Sequence, residues 1–233
     1  MSLPKIDLPL FELKLPSTGE KIKYRGFTVK EEKILLVAQQ SDDPEQEILA
    51  TKQIINNCIV DVDVGKLPMF DLEYILLHLR AKSVNNNIAF MVTDDETEEK
   101  VEVSFNIDDL TVSTNEDHTN KIKLNDDYTL FLKYPTIDQF IKISSLIEED
   151  PLANYFIMTS CLDKVASDDE VYSFDDYSDE QIDEFMDNMT SDVVRGVQNF
   201  FETMPKIRHE MKYKNSNGNE RTFVIEGLRS FFI

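Results

Sequence analysis

Apolar and polar residues alternate over Phe11-Glu12-Leu13-Lys14-Leu15 and again over Lys21-Ile22-Lys23-Tyr24-Arg25, with Pro16-Ser17-Thr18-Gly19 between them. Alternation on both sides of turn-forming residues predicts a β-hairpin. Thr28 followed by Glu31 is a capping-box signature ahead of Ile34, Leu35 and Val37, so a helix is expected from about Val29. Ser41-Asp42-Asp43-Pro44 stops that helix and opens another, with Asp43 as cap and Pro44 at the first helical position. Its Ile48, Ile55, Cys58 and Ile59 share one face. After Pro68, Leu72, Ile75, Leu76 and Leu79 form an apolar stripe that a third helix must bury, and the three helices are expected to pack together.

The period then changes to two. Ile88, Phe90 and Val92 alternate with smaller or polar positions, as do Val101, Val103 and Phe105 beyond the acidic turn Asp94 to Glu99. Lys121 to Leu124 and Tyr128 to Tyr134 are read as further strands of an antiparallel sheet, separated by Asn125-Asp126-Asp127. Thr136 with Gln139 opens a helix bearing Ile137, Phe140, Ile141, Ser144 and Ile147. Asp150-Pro151 restarts a helix whose stripe is Leu152, Tyr155, Phe156, Leu162 and Val165.

An acid-rich loop is expected next. Ser178 with Gln181 then caps a helix carrying Ile182, Phe185, Met186 and Met189. A following helix carries Val193, Val194, Val197, Phe200, Phe201 and Met204, and Pro205 ends it. Ile207, His209, Met211 and Tyr213 alternate, Asn215-Ser216-Asn217-Gly218-Asn219 turns, and Phe223 and Ile225 return, the clearest hairpin in the chain. The two later hairpins share a loose pattern that ends in Leu110 and Leu228, compatible with a weak duplication. Leu228, Phe231, Phe232 and Ile233 are too apolar to be left in water and are expected to dock on this chain or on a partner.

These elements predict an α+β fold of antiparallel hairpins and amphipathic helices. An N-terminal lobe, 1–134, would hold the first hairpin, three helices and antiparallel strands. The lobe 135–233 would be mostly helical, with an acidic segment at 167–192 and a closing hairpin. Composition agrees with a folded chain, because 41% hydrophobic and 30% charged residues are ordinary globular values.

Charge changes the picture more. The net charge is −21, yet residues 1–30 and 193–233 are each +3, so the acidity is central. Residues 167–192 alone contain eleven acids and no Lys or Arg. Such a field repels phosphates and anionic membranes, and it argues against nucleic-acid binding. Apolar runs such as Ile34-Leu35-Leu36-Val37-Ala38 fall far short of the roughly 20 residues of a membrane span, and no signal-like apolar core precedes them. Cys58 and Cys161 are far apart, fit a reducing compartment and are expected to be buried thiols.

Catalytic chemistry is not legible. The six glycines are scattered and form no phosphate-cradling loop. His78, His118 and His209 lie in separate segments without metal-ligand spacing, and each is read as a surface or satisfied core histidine. Asp61-Val62-Asp63-Val64-Gly65 lacks the register of a calcium loop. No nucleophile elbow marks a Ser or Cys, so an enzyme is not expected, and no cofactor or metal is implied. Met repacks easily and aromatic anchors dominate interfaces, so Asp183, Glu184, Phe185, Met186 and Met189 are the candidate protein-binding residues.

Leu15-Pro16-Ser17-Thr18-Gly19-Glu20-Lys21-Ile22-Lys23-Tyr24-Arg25, then Val29-Lys30-Glu31-Glu32-Lys33, together resemble the T4-type phage baseplate hub assembly proteins. Leu67-Pro68-Met69-Phe70-Asp71-Leu72-Glu73-Tyr74, Leu79-Arg80-Ala81-Lys82-Ser83-Val84 and the ending Gly227-Leu228-Arg229-Ser230-Phe231-Phe232 are similar too. The resemblance implies a non-enzymatic role in building the central hub of a contractile tail. The expected partners are hub and tape-measure proteins. The expected location is the cytoplasm of the infected bacterium or the virion tail baseplate. Relatives of this type can carry Cys pairs at the hairpin turns; here Thr93 to Lys100 and Asn215 to Asn219 hold none, so no metal site is carried over. Two other readings remain beside an assembly factor: a permanent structural hub subunit, and an acidic mimic of nucleic acid that inhibits a host protein.

Overall fold

In the computed structural model, which describes residues 7–40, 44–83, 86–147 and 153–226, alternating segments form strands and segments of helical period form helices. The first part of the chain runs β1 (Leu10–Lys14), β2 (Lys21–Arg25), α1 (Val29–Gln39), α2 (Pro44–Cys58), β3 (Ile59–Val60), α3 (Met69–Ser83), β4 (Asn87–Thr93), β5 (Lys100–Asn106) and β6 (Val112–Ser113). It continues with β7 (Lys121–Lys123), β8 (Thr129–Leu132), α4 (Ile137–Ile147), α5 (Ala153–Ser160), β9 (Leu162–Ala166) and β10 (Val171–Ser173). It closes with α6 (Asp179–Asp187), α7 (Ser191–Thr203), β11 (Lys206–Lys214) and β12 (Glu220–Glu226). The fold is α+β, and every strand pair among the described residues is antiparallel.

Two compact units result, Met1–Ser113 with Lys206–Ile233, and Thr114–Pro205. The division expected at residue 134 therefore moves. β8 pairs with β9 across that point, Leu130 opposite Val165, and β11 returns to β6 with Ile207 opposite Val112. Residues 135–233 are mixed rather than mostly helical, since β9 to β12 accompany α4 to α7. The cap expected at Asp43 and the apolar ending from Leu228 lie outside the described residues.

In the first unit, Leu13 stands opposite Ile22 in β1–β2, and both are buried. β3 adds to β2 with Ile59 opposite Tyr24, which takes Ile59 off the α2 face on which the sequence placed it. Leu72, Ile75, Leu76 and Leu79 of α3 are buried as their spacing predicts. Leu77 and Ala81 on the same helix pack with Val103 and Phe105 of β5 and with Ile207, Met211 and Ile225 of β11–β12. Asp71 is buried too, and the Ser17 backbone N–H donates to it at 3.1 Å, tying the first hairpin turn to α3.

α1 departs from its apolar pattern. Glu31 is fully buried, and its carboxylate accepts from Thr28 N–H at 2.9 Å and from the Arg25 guanidinium at 3.2 Å. Arg25 also donates to the Asn57 carbonyl at 2.8 Å. With Glu31 on the inner face of the helix, Val37 is 70% exposed.

The β4–β5 and β11–β12 hairpins are joined at their turns by side chains. Asp94 is buried, and its carboxylate accepts from Tyr213 Oη at 2.7 Å, Asn215 Nδ2 at 3.3 Å and the Thr97 N–H at 3.0 Å. Glu96 accepts from Asn215 and Asn219 side chains, each at 2.9 Å. Arg221 Nε lies 3.4 Å from Asp94. The Tyr213 hydroxyl above all, with the other donors, holds the Asp94 carboxyl far below the usual carboxylate range.

The second unit is built on a four-stranded sheet of order β10-β9-β8-β7. Leu162 and Val165, expected on a helix, stand on β9. The Cys161 N–H closes α5 on the Met158 carbonyl at 3.2 Å, and the Cys161 carbonyl accepts from Lys133 N–H at 2.7 Å, starting the β8–β9 pairing. Val193, Val197 and Phe200 of α7 are buried with Leu130, Leu132 and Met186.

Candidate protein-binding site

Helix α6 organises the candidate site. The Ser178 N–H donates to the Gln181 side chain at 3.1 Å as a capping box requires, and Asp179 and Glu180 occupy the first turn, where the helix dipole favours negative charge. The helical repeat then divides the five sequence-chosen residues by direction. Met186 is buried in the core. Asp183 accepts from Tyr155 Oη at 2.7 Å, which ties α6 to α5. Glu184, Phe185 and Met189 line an open groove of about 680 Å³.

The other walls come from the sheet and from the segment that leads into α6. Leu124, Asn125 and Tyr128 belong to the β7–β8 turn region, Val165 and Tyr172 to β9 and β10, and Phe174 and Tyr177 to the connection into α6. Phe185 meets Phe174 edge-on at 5.2 Å, and the Tyr128 and Tyr172 rings are 6.4 Å apart. Tyr172 and Tyr177 remain 38% and 41% exposed, unusual for rings that line a largely apolar concavity. The hydrogen bond to Glu170, with some burial, pushes the Tyr172 hydroxyl up to about 12, so it stays a donor at neutral pH.

Tyr128, Tyr172, Phe174 and Tyr177 line the groove without any local sequence signal that marks them. The Val171-Tyr172-Ser173 strand is three residues long and is flanked by carboxylates, so by its own pattern in sequence it is indistinguishable from an acidic loop. The turn signal at Ser167, whose hydroxyl accepts from the Glu170 N–H at 3.1 Å, was available to reveal the β9–β10 hairpin.

Other candidate chemistry is absorbed by structure. Both ring nitrogens of His118 are bonded, to Thr203 and Tyr134 at 2.9 Å each. Because the Thr203 hydroxyl donates to the Asn199 carbonyl at 2.6 Å, the His118 Nδ1–H donates and its Nε2 accepts from Tyr134. His78 packs edge-on against Tyr74, and the His209 ring lies tilted against Phe105. Both cysteines are buried, and burial pushes Cys58 up to about 11 and Cys161 to about 12, so neither is a thiolate at neutral pH. Asp63 caps a 3-10 turn through Gly65 N–H at 3.2 Å. Among the described residues, no group of three His, Cys, Asp or Glu could hold a metal ion, and no helix is long and apolar enough to cross a membrane.

Fold and composition thus define an acid-rich α+β protein. The family model described as T4 bacteriophage base plate protein matches residues 8–233, and the chain belongs to that family. Comparison with curated proteins and with solved structures gives no match.

Proposed function

We propose that the chain is a non-enzymatic assembly factor of the phage baseplate central hub, which binds hub or tape-measure proteins through the groove of its second unit. Family membership supports work on the base plate. The observation that carries the binding role is the convergence of Glu184, Phe185 and Met189 with Tyr128, Tyr172 and Tyr177 around one concavity. Aromatic and Met side chains left accessible in a hollow are the groups that anchor protein interfaces. The chain would cover apolar surface on a hub component in the infected cytoplasm until the proper partner replaces it, while its acidity limits nonspecific association.

Affinity capture of the tagged chain from infected cells, read by mass spectrometry, tests this. Hub or tape-measure proteins are expected, and their capture should fall when Asp183, Glu184 and Asp187 are reversed to Lys. Capture of host nucleic-acid-binding proteins without tail proteins would overturn the reading. Purified tails that lack the chain support an assembly factor. Stoichiometric retention supports a permanent structural subunit, which family membership favours equally.

A further inference from the structure

We propose that the groove of the second unit binds a short cationic segment of a partner protein, with a large apolar side chain of that segment seated among Tyr128, Tyr172, Phe174 and Phe185. This rests on the binding role argued above and names the chemistry of its occupant. A cavity of about 680 Å³ is within the size of pockets that enclose ligand side chains. Its floor is apolar, so an aliphatic or aromatic anchor gains there by leaving water.

Charge identifies the rest of the occupant. The second unit carries twenty-one acids against six Lys or Arg. Each lining segment is bordered by carboxylates: Asp126 and Asp127 precede Tyr128, Glu170 precedes Tyr172, and Asp175 and Asp176 lie between Phe174 and Tyr177. Of the cations close in sequence, Lys123 pairs with Asp126 at 2.8 Å, Lys133 with Asp175 at 2.9 Å and Arg195 with Asp192, while Lys121 and Lys164 lie over the Phe131 ring. With six cations among twenty-one acids the field of this unit is negative, and phosphate or nucleic acid is repelled. The bordering carboxylates are spread over several chain segments, so a single-charge ligand meets only one of them. A peptide with several Lys or Arg satisfies many together and is steered in by the field.

The chain has no Trp, so the emission of a Trp-bearing probe is free of background. The probe is a synthetic peptide of Lys and Leu with one Trp, titrated into the full chain. Controls carry Glu for Lys, or Ser for Leu with the Trp kept. Saturable binding with a blue-shifted Trp is expected for the first peptide alone. Phe185→Ala should weaken it about tenfold, and Met189→Ala and Glu184→Lys a few-fold, while Glu202→Lys, an equal charge change outside the lining, shifts it less than about twofold. Glu184 is exposed, so its variant separates lost binding from lost folding.

Absence of binding, equal binding of the acidic or the Leu-free peptide, or equal effects at Glu184 and Glu202 would overturn the proposal. So would a peptide of residues 227–233 that displaces the probe at lower concentration, since the occupant would then be the chain's own ending. Hub proteins captured from cells by a chain that ignores the probe would leave the assembly role standing without this chemistry. Probe binding without capture of any tail protein would remove the assembly role instead.

Discussion

Tyr213 donates its hydroxyl to Asp94 Oδ2 at 2.7 Å across 119 positions of sequence, fastening the turn of one hairpin to the strand of another. The carboxylate is buried and is stabilised as the anion by that hydroxyl, by backbone amides and by Asn215, so its folded pKa lies below the ordinary 3.8. A depressed carboxyl contributes stability that is present above 3.8 and lost as pH falls below it. Acid titration of the first unit should therefore show reduced stability below about pH 4, and Asp94→Asn should flatten that dependence. Tyr213→Phe should lower the melting temperature by several degrees at pH 7. Unchanged melting in both variants would mean the two turns are held by packing alone.

The Arg25–Glu31 pair makes a sharper prediction because it sits under a helix. Burial alone would raise the Glu31 carboxyl, but hydrogen bonds from Arg25 and Thr28 outweigh it and bring it to about 2. The pair's contribution should be complete above pH 4.5 and disappear as pH falls toward 2. Arg25→Ala leaves a buried carboxylate without its partner and should cost roughly 3 kcal/mol in urea denaturation. The double replacement Arg25→Met with Glu31→Met should recover most of that loss. A double variant as unstable as the single one would show that the charge itself is required.

What the sequence made legible followed local rules. The stripe of α3, the capping boxes at Ser178 and Thr136, and the three long hairpins lie where periodicity and turn residues place them. What it hid depended on distant partners. The two residues of β6 have no period of their own and become a strand only because Ile207 arrives beside Val112. The apolar residues of α1 do not announce that Glu31 is buried while Val37 is exposed, because Glu31 is held by Arg25 from the preceding strand. At the groove, Phe185 and Met189 belong to a helical stripe that is legible in the sequence and Glu184 is a carboxylate beside it, whereas Tyr128 and Tyr172 reach the same hollow through sheet pairing that no local pattern encodes.

Glu98 holds a φ of 58°, the left-handed conformation that Gly19 adopts at the equivalent point of the first hairpin with a φ of 74°. In both turns the N–H of this residue donates, at 2.8 Å, to the carbonyl four residues earlier, Asp94 or Leu15. A side chain there crowds its own carbonyl, whereas glycine does not. Glu98→Gly should therefore stabilise the chain by about 0.5–1 kcal/mol. Gly218, with a φ of 80°, is the converse case: a Cβ would meet nothing within 4 Å, so Gly218→Ala should lose about 1 kcal/mol through torsional strain alone. Thermal melting of the two variants should move in opposite directions.

Gly196 sets two physical effects against each other in the middle of α7. Replacing a helical glycine by alanine ordinarily gains up to about 1 kcal/mol in backbone entropy. Here the new Cβ would stand 2.9 Å from Cδ1, 3.1 Å from Cγ1 and 3.2 Å from Cγ2 of Ile122 on β7. Three atoms of one β-branched side chain cannot all retreat by a single rotation, so the helix or the strand must shift, and overpacking of this kind costs about 1–3 kcal/mol. Packing should win, and Gly196→Ala should destabilise the second unit. Adding Ile122→Val, which removes the closest methyl, should restore part of the loss. A stabilised single variant would show that β7 yields freely, and that the edge of this sheet is softer than its contacts imply.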